Sequence, residues 1–281
     1  MDNFEHCAAL VREADPDRFL ASLFAPDVRR GALYALYAFN AEIVRIRDAA
    51  REPMAGEIRL QWWRDVLAGE RAGEARAHPV AAALCAIIER YAIDRQPLSD
   101  LIDAHGFDLY SEPMAELSDL EIYAERTEAT VFALAADILA DRSVAASAVI
   151  RHAGIAYAIT ALLRDFARDA SRRRIYVPLD LLTRRGVVTQ TAFVGQTTDG
   201  LSAALAELRL NAQHHLDLAR ENMSALPEAI LPALLPVALV RPALARMERN
   251  GDNPFTSTAI PRWRRQWRLW RAAHNPNRIF D

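Results

Sequence analysis

Lysine is missing from this 281-residue chain: all 34 basic residues are arginine. That excludes a Schiff-base lysine, a phosphate-loop lysine and a kinase-type lysine, so pyridoxal enzymes and Walker-type nucleotidases lie outside its alphabet. The codon bias of a GC-rich genome accounts for the absence and for the abundance of alanine. Cysteine is nearly missing too. Cys7 and Cys85 fall in no CxxC or Cys/His spacing and read as small buried hydrophobes of a reducing compartment. Glycine is scarce, 10 residues against 14 prolines, too few for the repeated tight turns of a sandwich or barrel. The longest apolar stretch, Ala229–Val240, is interrupted by Pro232 and Pro236 and falls short of the roughly 20 residues that span a bilayer. The segment Met1–Ala14 carries Asp2, Glu5, Arg12 and Glu13 and lacks the basic-then-apolar order of a signal peptide. The expected location is cytoplasmic, with the inner face of a membrane as a peripheral site.

What is present is 52% hydrophobic and 25% charged, with a formal net charge of −3, far too apolar for disorder. Apolar residues recur at helical spacing in Phe19-Leu20-Leu23-Phe24, Leu33-Leu36-Tyr37 and from Val80 to Ile88. Further helical blocks are Leu98–Phe107, Asp119–Leu139, Ala145–Arg168, Asp199–Met223, Ala229–Met247 and Arg262–Ala273. Gly69–His78 and Arg184–Thr198 read as loops. Almost no alternating runs favour strands, and no repeat of fixed period appears. The expectation is one all-α domain over residues 1–281 with about eight helices.

The sharpest chemical signal is Arg164-Asp165-Phe166-Ala167-Arg168-Asp169. Carboxylates four apart project from one helix face. Such a pair suits Mg²⁺, which takes one or two carboxylates and completes its shell with water and phosphate oxygens; the bland alternative is a solvated face of Arg–Asp pairs. Ser171-Arg172-Arg173-Arg174-Ile175-Tyr176-Val177-Pro178 follows directly, and arginine forks match phosphate oxygens bidentately. Carboxylates for a metal beside arginines for phosphate describe a diphosphate site, with Pro178 expected to end the helix over its mouth.

The segment Leu163–Pro178 resembles the second aspartate-rich motif of the squalene/phytoene synthase family, whose members condense two allylic prenyl diphosphates head to head in an all-helical fold. Asp17–Phe39, containing Tyr34, Tyr37 and Phe39, is similar to the stretch before that family's first motif. Leu101–Leu109 is similar to its middle helix, and Gly251-Asp252-Asn253-Pro254-Phe255 with Pro261-Arg262 to its C-terminal end. The resemblance implies an isoprenoid-synthase-type fold around a central cavity, Mg²⁺ as cofactor in an active member, Asp165, Asp169 and Asp48 as catalytic residues with Asp165 and Asp169 on the metal, and Arg172, Arg173, Arg174, Tyr37 and Tyr123 on the substrate.

The departures from the family pattern bear on activity. The first DxxxD should fall at positions 44 to 48, which read Val44-Arg45-Ile46-Arg47-Asp48, so only Asp48 remains of the pair. Tyr123 is kept, Arg126 stands where a catalytic tyrosine is expected, and Phe132 fills a glycine position where bulk narrows a prenyl tunnel. These changes, with Ile58–Arg64 and Pro261–Arg264, resemble a divergent branch containing a mitochondrial respiratory complex I assembly factor. Two functions are thereby implied: a non-catalytic or weakly catalytic protein with a cavity for a prenyl diphosphate or related lipid, partnered with a respiratory-complex subunit or assembly protein, or an active Mg²⁺-dependent head-to-head prenyltransferase. A further expectation is that Arg45 pairs with Asp165 or Asp169 in place of the metal.

Trp263, Trp267 and Trp270 share one helical face among Arg262, Arg264, Arg265, Arg268 and Arg271. Docking of this helix on the core is the leading reading, ahead of an anionic membrane surface and, last, a partner-protein or nucleic-acid surface; nucleic acid is not among the expected partners. Adjacent Trp62 and Trp63 face different ways, one into the core and the other toward a tunnel or the surface. His105 reads as satisfying a local hydrogen bond, and His214 and His215 as packed or solvated rather than metal ligands.

Overall fold

A computed structural model describes residues 2–50, 52–140, 148–223, 226–256 and 259–281. Among these the regular structure is helical and no strand occurs, as the scarcity of glycine and the 3.6-residue periodicity require. The helices are α1 (Asn3–Ala14), α2 (Pro16–Ser22), α3 (Asp27–Ala49), α4 (Pro53–Ala68), α5 (Ala72–Ala77), α6 (Pro79–Tyr91), α7 (Arg95–Gly106), α8 (Leu117–Ala124), α9 (Thr130–Ala140), α10 (Ala148–Ser171), α11 (Leu179–Arg184), α12 (Thr189–Phe193), α13 (Asp199–Glu221), α14 (Leu231–Leu234), α15 (Val240–Arg249) and α16 (Arg262–His274). This is twice the expected number, because tertiary contacts and prolines cut the apolar blocks into shorter pieces and add helical turns where no periodicity announced them. The first residues of the expected block Ala145–Arg168 lie outside the described residues.

The chain forms two compact units, Met1–Tyr110 with Thr130–Ser147 and Ala225–Pro236, and Ser111–Ala129 with Ala148–Ser224 and Val237–Asp281. In the first, α3 packs against α1, α4, α6 and α9. Its run Ala32–Asn40 is buried at every position, the signature of a helix enclosed on all sides rather than of a surface helix with one apolar stripe. Cys7 of α1 is fully buried, and burial pushes its thiol up to about 12, with Glu42 and Asp2 adding to the rise. It is the inert packing residue its isolation in the sequence predicted.

In the second unit α10 pairs with α13 and meets the π-helical turn Glu125–Ala129 that joins α8 to α9. The expected single helix Asp119–Leu139 is therefore interrupted. At the α10 contact a Cβ on Gly154 would lie 2.3 Å from Ala129 Cα, so glycine is what permits the approach. Helix α10 ends before Pro178. Arg173 adopts the left-handed conformation (φ 60°), with Arg174 N–H donating to Asp169 O and Arg173 N–H to Ala170 O, both at 2.9 Å. This closes the helix in a position glycine usually takes, at a cost of roughly 1 kcal/mol for a side-chain-bearing residue. Pro178 instead precedes α11 as its N-cap.

Two expected loops carry short helices. In 69–78, α5 forms because Ala75 is buried and Glu74 accepts from Trp62 Nε1 at 2.8 Å and Arg71 Nη1 at 3.0 Å. In 184–198, α12 forms around buried Ala192. The run Glu228–Arg249 is, by length and composition, apolar enough to cross a membrane, contrary to the reading of Ala229–Val240 alone. Its apolar residues Ile230, Leu234, Val237 and Leu244 are buried within the protein. Pro232 and Pro236 each lack an N–H, and the run alternates between 3₁₀ and α turns accordingly.

Candidate functional site

The i, i+4 spacing places Asp165 and Asp169 along one face of α10, but their settings differ: the Asp165 side chain is 30% exposed and that of Asp169 2%. The Arg168 guanidinium bridges them, its Nη2 lying 3.1 Å from Asp165 Oδ2 and 3.4 Å from Asp169 Oδ1. Arg164 Nε donates to Asp165 Oδ1 at 3.2 Å. Arg164 and Arg168, which neighbour these carboxylates, stand on the same helix. Arg45, expected as a partner, lies on α3 in the first unit.

Asp169 lines a pocket with Phe166, Arg174 and Tyr176 of about 10 Å³, room for one water. Tyr123 is buried and its ring stands 5.8 Å from that of Tyr176. Asp169, Arg174 and, through Tyr176, Tyr123 are thus brought together. Arg172 and Arg173 are exposed, because the left-handed turn at Arg173 sends the three arginines in different directions. Among the described residues no cluster of three or more His, Cys, Asp or Glu side chains is arranged to hold a metal. The donor chemistry of Asp165 and Asp169 still fits a cation that draws its other ligands from phosphate and water, with Arg168 displaced from between them.

In the first unit Val44 is half-buried, and Asp48 lies 4.0 Å from the Nε of buried Arg47. Tyr37 is 3% exposed. A residue the motifs did not single out covers it: the Arg18 guanidinium stands 5.2 Å from the Tyr37 ring centroid and 5.2 Å from that of Phe132. Arg18 is buried, held 3.5 Å from Asp15 Oδ2, and Phe132 is among the largest fully buried side chains. Arg126, in the π-helical turn, is exposed. Nothing local in the sequence announces Arg18, which meets its two rings only through tertiary packing.

Helix positions 42, 45, 46 and 49 share the face of α3 turned away from 44 and 48. There Glu42, Arg45 and Ile46 form a cleft of about 420 Å³ with Arg59, Trp62 and Trp63 of α4 and His78, the N-cap of α6. Trp63 is core, edge-on to Phe39 at 5.1 Å, while Trp62 is half-buried, as their adjacency predicted. His78 Nδ1 accepts from Ala81 N–H, which places the proton of the neutral ring on Nε2, 3.6 Å from Glu42 Oε2. Burial holds His78 below its usual value.

Burial also raises Glu42 from 4.5 to about 7, against the pull of Arg45. The folded state therefore keeps a proton that the unfolded chain releases, and stability falls as pH rises from about 4.5 to about 7. The loss is on the order of 3 kcal/mol at most. Glu42→Gln removes this dependence: chemical unfolding of the variant and wild type should give closely similar stabilities at pH 4.5 and a variant advantage of about 2 kcal/mol at pH 8. An advantage equal at both pH values would contradict the burial of an ionising carboxyl.

His105 Nδ1 bonds Asp108 Oδ2 at 2.7 Å, the local partner expected. His215 is buried and joins His152 Nδ1 at 2.9 Å and Glu121 Oε1 at 3.2 Å, a packed polar network.

The squalene/phytoene synthase family profile matches residues 11–271. The human NADH dehydrogenase (ubiquinone) complex I, assembly factor 6, is 27% identical over 245 residues, spanning 87% of this chain and 73% of that protein. Phytoene synthase 2, chloroplastic, of Oryza sativa subsp. japonica is 27% identical over 266 residues, 92% of this chain and 66% of that one. Among solved structures, squalene synthase from Alicyclobacillus acidocaldarius superposes with a TM-score of 0.77 at 26% identity, over 90% of this chain and 95% of that one. A dehydrosqualene synthase in complex with ligand gives a TM-score of 0.82 at 21% identity over 97% and 95%, a likeness of fold. With a match that runs nearly end to end and an all-helical architecture shared with these synthases, the chain belongs to the squalene/phytoene synthase family.

Proposed function

We propose that this chain is a one-domain family member with weak or no synthase chemistry, acting in respiratory complex I assembly or a similar partner role while retaining a cavity for a prenyl diphosphate or related lipid. The observation that carries this reading is the Arg18 guanidinium between the rings of Tyr37 and Phe132. Ionisation of an allylic diphosphate leaves a carbocation, which aromatic faces stabilise. Here the chain's own permanent cation covers the face of Tyr37, and a second positive charge beside it is opposed by Coulomb repulsion. Val44 in place of an acidic ligand and Arg168 between Asp165 and Asp169 act in the same direction. The similarity to complex I assembly factor 6 supplies the role.

A second reading, an active head-to-head prenyltransferase, is favoured by the persistence of Asp165 and Asp169 beside Arg174. In it Asp165 and Asp169 would hold Mg²⁺, which would neutralise the departing pyrophosphate, and Asp48 would be a further catalytic carboxylate. Arg172, Arg173 and Arg174 would bind its oxygens, and Tyr37 and Tyr123 the substrate.

Pyrophosphate release from farnesyl or geranylgeranyl diphosphate with Mg²⁺ decides between them. The expected result is no release above the enzyme-free blank from folded wild type or Asp165→Ala. In cells lacking this chain, NADH–ubiquinone oxidoreductase activity of the membranes should drop and return with either protein. Release by wild type that Asp165→Ala abolishes would overturn the non-catalytic reading in favour of the synthase.

A further inference from the structure

Helix α16 docks through Leu269 and Ala272, both 1% exposed. At 100° per residue these lie opposite the face carrying 263, 267 and 270. The docking expected of the tryptophans is therefore made by the other side of the helix, and Trp263, Trp267 and Trp270 are 65%, 53% and 47% exposed. They form a continuous outward surface: the rings of Trp267 and Trp270 stack at 5.1 Å, and Arg264 lies 5.1 Å over Trp263. Isolated exposed apolar side chains are ordinary in a folded protein, but three tryptophans in one contiguous stripe mark an interaction surface.

The charge around the stripe is of one sign. The helix RWRRQWRLWRAAH carries five arginines and no carboxylate. Among the described residues no carboxylate pairs with Arg262, Arg264, Arg268 or Arg271. Burial, with the neighbouring guanidiniums of Arg271 and Arg264 adding to it, holds Arg268 below its usual value.

We propose that α16 is a membrane-docking helix that lies flat on an anionic bilayer surface, with Trp263, Trp267 and Trp270 in the headgroup region and Arg264, Arg268 and Arg271 on lipid phosphates. Tryptophan places an apolar body at the acyl boundary and its N–H among the headgroups, which suits it to this interface. The 13-residue helix is about 20 Å long. It is too short to span a bilayer and already uses its Leu269/Ala272 face to hold the protein, so it binds parallel to the membrane. The inference is independent of whether the protein is a catalyst.

Cosedimentation of the full chain with phosphatidylcholine vesicles, with and without phosphatidylglycerol, tests this. Wild type should sediment with the anionic vesicles, release as salt is raised, and shift its tryptophan emission to the blue. Replacing Arg264, Arg268 and Arg271 together by Ala should weaken partitioning about a hundredfold, at about 1 kcal/mol per arginine. Replacing the three tryptophans by Ala should weaken it about tenfold or more. Because these side chains point outward, both triple variants should keep the wild-type circular dichroism and melting temperature. Binding indifferent to phosphatidylglycerol, or a tryptophan variant that sediments like wild type, would overturn the proposal. Absence of sedimentation on every vesicle would overturn it too.

Discussion

Gly154→Ala should destabilise the protein by about 3 kcal/mol, lowering the melting temperature by roughly 10 °C. The added Cβ would stand 2.3 Å from Ala129 Cα, 2.4 Å from its Cβ and 2.7 Å from its N. Two of those atoms are backbone, so no rotamer change relieves the clash. Relief requires α10 to move off the π-helical turn and loosens the packing of both. Adding Ala129→Gly removes only the Cβ contact, so the double variant should recover less than half of the loss. Thermal and denaturant unfolding of both variants provides the measurement. A loss under 1 kcal/mol for Gly154→Ala would mean that the helix and the turn are not in close contact in solution.

Phe132→Ala should cost about 3–5 kcal/mol, the range for removing a fully buried ring. The ring is 1% exposed, and its loss also strips the Arg18 guanidinium of an aromatic neighbour. In a double-mutant cycle, Arg18→Met and Phe132→Ala should couple by about 1 kcal/mol, the scale of a desolvated cation–π contact. The same substitution separates two views of position 132. A phenyl ring lining an open substrate tunnel can be removed at little cost to stability, whereas one wedged against a buried guanidinium cannot. A loss below about 1 kcal/mol would therefore weaken the reading in which Arg18, Tyr37 and Phe132 close off the interior.

The all-helical class was legible in the sequence because helical periodicity is local, and the family through the motif Leu163–Pro178 that resembles it. Apolar residues at 3.6-residue spacing in α3, α6 and α13, and ten glycines in 281 residues, leave few alternatives. Asp165 and Asp169 share a face for the same reason, as do Trp263, Trp267 and Trp270: a helix of known pitch fixes such relations before any packing occurs. Which face meets the protein was not fixed this way. In α16 the large tryptophans suggested burial, but the small pair Leu269 and Ala272 permits the closer approach.

The interruption of α8 and α9 by a π-helical turn carried no sequence signal. Nor did α5, whose six residues hold one buried side chain and gain their order from the ring of Trp62 and the charges of Arg71 and Glu74. The most consequential contacts join residues far apart along the chain: Arg18 with Phe132, Glu42 with His78, Ala129 with Gly154. The sequence by itself determined the all-helical class, which residues share a face of a long helix, and, through its motifs, the resemblance to the family. Tertiary structure alone decided that Arg18 stands over both Tyr37 and Phe132 and that burial raises Glu42 toward neutrality. Each depends on desolvation and on partners brought close by the whole fold, and free energies of that kind are absent from any window of neighbouring residues.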